Sequence, residues 1–250
     1  MRLIERANNI VRYARDLGVA NAFGIAAQKL QGRELITLQV DGVRHPLYCR
    51  SGDLYVFLEV FGKKFGEVYD PALTGAPRLI VDGGANVGFA SAMFANRFPE
   101  ARIVSIEPDE KNCNVFRKNC SAYSNVKLLH AALWYRPGRM KIENPDDASF
   151  LFRVTEGGDD SGGIPALTLS DIIASENAEV IDILKLDVEG AEKVLFEHGD
   201  HWLRRVRLMI MELHDGYVPG CSNALFTAID GRKYRHSRIK QIDIVEFLDV

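Results

Sequence analysis

From Arg78 onward, short apolar runs alternate with stretches of helical periodicity, and this alternation limits the fold more than any other feature of the chain. The runs Arg78 to Val81, Arg102 to Ile106, Val126 to Leu129, Ile181 to Leu186 and Val206 to Leu213 predict strands, and Ile242 to Leu248 a last one. Between them, Asn86 to Arg97, Asp109 to Ser121 and Glu189 to Glu197 predict helices. Strands separated by helices belong to a largely parallel sheet covered on both faces, so the pattern predicts a doubly wound, Rossmann-like α/β fold. The interval Tyr135 to Pro165 breaks the rhythm with Gly, Pro and Asp. It predicts a hairpin of Arg139 to Glu143 with Phe150 to Thr155, then a mobile loop around Gly157 to Gly163. Thr168 and Asp171 form a T-x-x-D capping pattern before the next helix.

Ahead of this region lies a different texture. Leu3, Ala7, Ile10, Val11, Ala14 and Leu17 fall at helical spacing, and six Lys or Arg face two acids up to Arg33. Such a helix caps its own domain, with weak contact to a membrane surface as the lesser alternative. Glu34 to Val40 and Val43 to Tyr48 flank Asp41-Gly42, a type I′ hairpin signal. Asp53 is placed to cap a helix through Val56, Phe57, Val60 and Phe61. Asp70-Pro71 closes the lead-in, and the expected division falls near Pro77, giving residues 1–76 as an N-terminal helical and hairpin extension and 77–250 as the main domain.

Hydrophobic residues make up 47% of the 250, enough for a core, and the net charge of -3 is not that of a phosphate-tracking surface, so no nucleic-acid partner is expected. No apolar run is long enough to predict a spanning helix. The four cysteines, Cys49, Cys113, Cys120 and Cys221, fit no zinc module and read as small buried hydrophobes of a reducing, cytoplasmic compartment.

The chemistry concentrates where strands end. Leu79-Ile80-Val81-Asp82-Gly83-Gly84-Ala85-Asn86-Val87-Gly88 is a buried strand running into a glycine-rich turn and a helix. In a doubly wound sheet, ligands sit beyond the carboxyl ends of the strands. Gly84 lets backbone approach a ligand, Gly88 lets the helix pack on the strand, and the helix N-terminus offers N–H groups to a carboxylate. The glycines do not follow the dinucleotide spacing G-x-G-x-x-G, and Asp82 disfavours a pyrophosphate. An acid there suits a donor that carries an ammonium and a sulfonium. Glu107 ends the second strand, where a carboxylate accepts from ribose hydroxyls. Ala132, near the third strand end, is expected beside the adenine. Lys185, Asp187 and Glu189 arrive at the same mouth from another apolar strand. Glu212 and His214 share a face at the next, with His214 the candidate general base.

These stretches resemble the FkbM family of methyltransferases: V-D-G-G-A-N-V-G at 81–88, E-P-D-E-K-N at 107–112, L-K-L-D-V-E-G-A-E at 184–192 and M-E-L-H at 211–214, with D-L-Y-V-F-L-E-V-F at 53–61 similar to that family's lead-in. Thr168-Leu169-Ser170-Asp171 departs from it, since the family more often has an acid directly after the leucine. The resemblance implies a class I methyltransferase fold, S-adenosylmethionine as donor and a hydroxyl acceptor on a sugar, polysaccharide precursor or other natural product. The expected cofactor set is Asp82, Gly83, Gly84, Ala85, Asn86, Gly88, Glu107 and Ala132. The expected catalytic set is His214, Glu212, Asp187, Glu189 and Lys185.

Three alternatives stand beside this reading. Asp187, Glu189, Glu212 and His214 offer donors to a divalent metal, an arrangement not favoured, so no residue is assigned as a metal ligand. A nicotinamide oxidoreductase would share the sheet. A catalytically silent cofactor-binding or interaction module would share the site. Nucleobase amino methylation is disfavoured, because Asp187-Val188-Glu189-Gly190 replaces the D/N-P-P-Y/F turn expected of it.

Overall fold

The computed structural model describes residues 14–15, 17–62, 75–145, 147, 151–157, 162–199 and 201–250. The helix expected over Leu3 to Leu17 lies almost wholly outside them, as do Asp70-Pro71 and the middle of the expected loop at 157–163.

Helix α1 (Val19–Leu30) leads to an antiparallel pair, β1 (Ile36–Leu38) and β2 (Leu47–Cys49). The Asp41-Gly42 turn closes, with Val43 N donating to Val40 O at 3.1 Å, but pairing begins only at Leu38 opposite Leu47, so the strands are shorter than expected. Helix α2 (Leu54–Phe61) follows. Asp53 does not cap it; its carboxylate turns back to accept from the Arg50 backbone at 2.8 Å and from the Arg50 guanidinium at 2.8 and 2.9 Å.

Then the alternation begins: β3 (Leu79–Gly83), α3 (Phe89–Arg97), β4 (Arg102–Glu107), α4 (Glu110–Cys120) and β5 (Val126–His130). A small sheet interrupts it, made of β6 (Ala132–Leu133), β7 (Gly138–Ile142), β8 (Val154–Glu156) and β9 (Ile164–Leu167) in the order β6-β9-β7-β8. The β7–β8 pair is the expected hairpin, while β6 and β9 carried no strand signal of their own. Helix α5 (Leu169–Ser175) starts with the predicted capping box, the Thr168 hydroxyl accepting from Asp171 N at 3.0 Å. β10 (Ile181–Leu186), α6 (Glu192–Glu197), β11 (Val206–Glu212), α7 (Cys221–Ala228), β12 (Tyr234–Ile239) and β13 (Ile242–Phe247) complete the chain.

The main sheet has seven strands in the order β12-β13-β11-β10-β3-β4-β5, with β13 antiparallel to both of its neighbours and the other six strands running in one direction. Its residues alternate between two cores. Ile80, Ile103, Ile183 and Ile210 pack with α2, α3 and α4, and Val81, Val104, Leu184 and Met209 pack with α5, α6 and α7. The doubly wound α/β fold expected from the alternation is therefore the observed one. The hairpin residues Ile36, Leu38 and Leu47 and the α2 residue Phe57 belong to the first of these cores. The four cysteines are buried and unpaired.

From β3 the chain builds outward through β4 to β5, then crosses back to β10 on the other flank of β3. This reversal opens a crevice beyond the carboxyl ends of β3 and β10, the switch point where doubly wound sheets bind ligands. Both turns at the crevice use left-handed backbone: Asn86 at φ +49° and Gly88 at φ +86° after β3, Glu189 at φ +54° and Gly190 at φ +99° after β10. Helices α3 and α6 consequently start at Phe89 and Glu192, three residues later than their periodicity suggests. The glycines act differently from expectation. A Cβ on Gly84 would lie 1.8 Å from the Asp187 carbonyl oxygen, so its bareness serves the approach of the two turns to each other. A Cβ on Gly88 would lie 2.7 Å from the Phe116 ring, so Gly88 admits α4 and not the strand.

Gly42 has φ +80° with open space around it, while Gly84 at φ +75° has none. Gly42→Ala is expected to lose about 1–2 kcal/mol from left-handed backbone alone. Gly84→Ala is expected to lose clearly more, because backbone must move. Paired urea denaturation curves read the difference, and equal losses would refute the close-approach account.

Candidate functional site

A cavity of about 270 Å³ occupies the crevice. From the expected cofactor set its wall takes Gly84, Asn86, Glu107 and Ala132; from the expected catalytic set it takes Asp187, Glu189, Glu212 and His214. Asp82, Gly83, Ala85, Gly88 and Lys185 do not reach it.

Asp82 is fully buried, its Oδ2 accepting from the Ser91 hydroxyl at 2.6 Å and its Oδ1 standing 3.2 Å from Lys185 Nζ. The same ammonium donates to the Gly84 carbonyl at 2.9 Å and lies 3.7 Å from Asp187 Oδ2. Lys185 therefore ties the two strand ends together, and Asp82 neutralises it. Both residues act through position: neither lines the cavity, which corrects the expectation that Asp82 faces a cationic ligand.

The turn after β3 also differs from expectation. Its amides are engaged within the chain: Gly84 N and Ala85 N donate to Ile106 O at 3.1 and 2.9 Å, Asn86 N to Glu107 Oε2 at 2.8 Å, and Gly88 N to Ala85 O at 2.9 Å. What the turn offers is an acceptor, since Asn86 Oδ1 is buried without a hydrogen-bond partner. Glu107 is 4% exposed; its Oε1 accepts from Asp109 N at 2.9 Å and from the Asn112 amide at 3.1 Å. Oε2 carries one amide, and a carboxylate oxygen has room for a second donor. Burial pushes the Glu107 carboxyl up to about 7, against the three hydrogen bonds that favour its charge.

The turns after β10 and β11 supply a dense group of acids. Burial, and after it the charge of Asp187, pushes Glu212 up to about 8 and also raises Glu189. The Tyr217 hydroxyl donates to Glu189. His214, 8% exposed, points Nδ1 at Glu192 Oε1 at 3.1 Å. Glu192 is itself fully buried and accepts from Val188 N and Gly190 N, each at 2.8 Å. Burial by itself lowers the imidazole, but the Glu192 hydrogen bond and the charges of Glu192, Asp187 and Glu189 outweigh it and hold His214 at about 9. These acids favour the imidazolium over the neutral ring. That electrostatic setting does not favour the general-base role expected of His214.

Sequence reasoning missed one acid of the wall. Glu59 comes from α2, lines the cavity beside Tyr55, and accepts from the Gln241 amide at 2.9 Å. Burial and the nearby Asp187 push it up to about 7. Its signal was available: it is the one charged residue in the apolar run Leu54 to Phe61. Leu151, Phe152 and Val154, on the segment that enters β8, cover the cavity from the small sheet.

Removing one partner of a buried ion pair strands the other charge, at a cost of about 3–5 kcal/mol. Lys185→Met is expected to lose that much in chemical denaturation, and Lys185→Met with Asp82→Asn considerably less. Additive losses in the double variant would refute the pairing.

The chain is similar in sequence to known methyltransferases. The methyltransferase FkbM domain matches residues 82–231, more than half of the chain. Methyltransferase sdnD of Sordaria araneosa is 27% identical over 194 residues, covering 63% of this chain and 73% of that protein. The 2-O-methyltransferase NoeI of Sinorhizobium fredii is 25% identical over 163 residues, covering 56% of this chain and 67% of that protein. Among solved structures, a methyltransferase from Geobacter sulfurreducens aligns with a TM-score of 0.45 at 17% identity, covering 78% of this chain and 84% of that one. Among the described residues no helix is long and apolar enough to cross a membrane. With the family's motif residues gathered around one crevice of a doubly wound sheet, this chain belongs to the FkbM family of S-adenosylmethionine-dependent methyltransferases.

Proposed function

We propose that the protein transfers a methyl group from S-adenosylmethionine to a hydroxyl oxygen of a small molecule or carbohydrate. The observation that carries this reading is Glu107, a buried carboxylate at the end of the second parallel strand that opens one oxygen to the cavity. There it accepts from a ribose hydroxyl. Asn86 Oδ1 offers a second unused acceptor for the donor's N–H groups, and Ala132 lies where the adenine passes. The acids Glu59, Asp187, Glu189 and Glu212 suit the positive sulfonium and ammonium. In this reading residues 77–250 hold the donor, and the lead-in before Pro77 adds Tyr55 and Glu59 to the acceptor's wall.

In the reaction the acceptor oxygen forms a bond to the methyl carbon as the carbon–sulfur bond breaks. The bonding pair goes to sulfur, leaving a neutral thioether, and the hydroxyl proton passes to a cavity carboxylate or to solvent. Alignment supplies most of the acceleration, on the order of 7–11 kcal/mol. The acid-lined wall then keeps the leaving sulfur and the incoming oxygen in line. Hydroxyl chemistry is supported by the relative named as a 2-O-methyltransferase.

Calorimetric titration with S-adenosylmethionine and, separately, NADH tests the donor. Binding of the first alone is expected; binding of NADH alone would refute the reading. Only the Glu107 carboxylate accepts freely, so affinity should fall about tenfold from pH 8 to pH 6 as the group titrates near 7. Glu107→Gln should bind more weakly and show a shallower pH dependence, the remainder coming from Glu59 and Glu212 in the same wall; a variant with the wild-type affinity and pH profile would reject Glu107 as the ribose ligand. A product assay over sugars, small alcohols and an RNA oligonucleotide, read by mass spectrometry, tests the acceptor. Methylation of the RNA alone would overturn the proposed acceptor class.

A further inference from the structure

The cavity also brings together a mixed set of oxygen and nitrogen donors, which a cationic methyl donor alone does not require. Asp187 leaves the end of β10, Glu212 closes β11, and His214 follows it. One oxygen of each carboxylate and one ring nitrogen lie within 4.8 Å of one another. Donor atoms about 2.1 Å from a shared ion stand about 3 Å apart at right angles and about 4.2 Å apart across it, so these three need only small side-chain movements to share one.

The imidazole is the independent observation. His214 is more than nine-tenths buried, and its Nδ1 is fixed by the fully buried Glu192. A carboxylate on the far nitrogen is how proteins orient a metal-binding histidine. Nε2 is thereby aimed at the acids, yet the oxygens it faces stand off, at 3.5 Å for Glu189 and 3.8 Å for Asp187. Charge-assisted hydrogen bonds close to about 2.7–2.9 Å. Direct pairing therefore leaves Nε2 with two long ion pairs and no close hydrogen bond. Glu189 is the least available of the acids, because the Tyr217 hydroxyl already occupies it.

We propose that Asp187, Glu212 and His214 Nε2 bind one divalent cation, which displaces the Nε2 proton to solvent, with Glu192 as the residue that positions the histidine. Two carboxylate oxygens and one imidazole nitrogen, with no thiolate, suit Mn²⁺ or a neighbouring first-row ion better than Ca²⁺, which takes six to eight oxygens. Three protein ligands leave coordination positions open toward the cavity. The ion's role rests on the methyltransferase reading: an acceptor oxygen occupies an open position, which favours loss of its proton before it attacks the methyl carbon. The site itself rests on the side chains alone.

The test uses full-length protein stripped with chelator and titrated with Mn²⁺, with free ion followed by electron paramagnetic resonance. One ion per chain is expected, with nitrogen modulation in the pulsed spectrum from a coordinated imidazole. Asp187→Asn and Glu212→Gln should weaken uptake at least tenfold, and His214→Gln should also erase the nitrogen signal. Glu192→Gln should weaken uptake roughly 10–100-fold. Near-ultraviolet circular dichroism verifies that each variant is folded, and the wild-type nitrogen signal reports the ligand even where a variant is not. A second mixed cluster, Glu110, Cys113 and His130, provides the control. Uptake lost in Glu110→Gln but kept in Glu212→Gln would overturn the assignment, as would no uptake at millimolar Mn²⁺. Protein that binds S-adenosylmethionine but not Mn²⁺ overturns this inference and leaves the methyltransferase reading standing. Protein that takes up Mn²⁺ with the predicted variant pattern but binds no S-adenosylmethionine supports the site and removes that reading.

Discussion

Lys185 is an ammonium with almost no water around it, and the shape of the crevice depends on where it points. It reaches from β10 to the Asp82 carboxylate and the Gly84 carbonyl on the neighbouring strand's turn, with Asp187 close by. A buried charge must be paired or it forces the structure to rearrange. Satisfying this one fixes the distance between the two turns that bound the cavity. The bare Gly84 then lets those turns meet at a separation no side chain would permit. The position of the cavity follows from strand order, and its width follows from this pair.

The parts of the fold that were legible in the sequence are those written in apolar periodicity. The five parallel strands, their helices and the capping box at Thr168 fall where spacing puts them. What was not legible has a common physical cause. Helices α3 and α6 start late because Asn86 and Glu189 adopt left-handed backbone that non-glycine residues rarely use, and that choice is imposed by tertiary contacts. β12 is an exposed edge with Tyr234, Arg235, His236, Ser237 and Arg238 in succession, so it carries no apolar alternation to read.

The candidate site divides in the same way. The expected residues gather around one crevice, but sequence position does not say which way a side chain faces. Asp82 and Lys185 turned inward to each other, while Glu107, Asp187 and Glu212 turned to the cavity. The role expected of His214 is disfavoured by an electrostatic setting that only three dimensions reveal: three carboxylates from one neighbouring loop and helix start surround a single ring.

The hydrogen bond from Gln241 to Glu59 joins positions 182 apart. A ribosome adding about 5–20 residues per second takes on the order of ten seconds or more to bridge that interval. Helix α2 is complete long before its partner exists. Glu59 must wait as a charged residue on an otherwise apolar surface until the last hairpin arrives. The wall built on β3 to β5 is encoded first; the opposite wall is finished only when β13 pairs with β11. The pocket is thus closed only after the β12–β13 hairpin has been made, and a nascent chain that lacks that hairpin carries the glycine turn without a finished cavity.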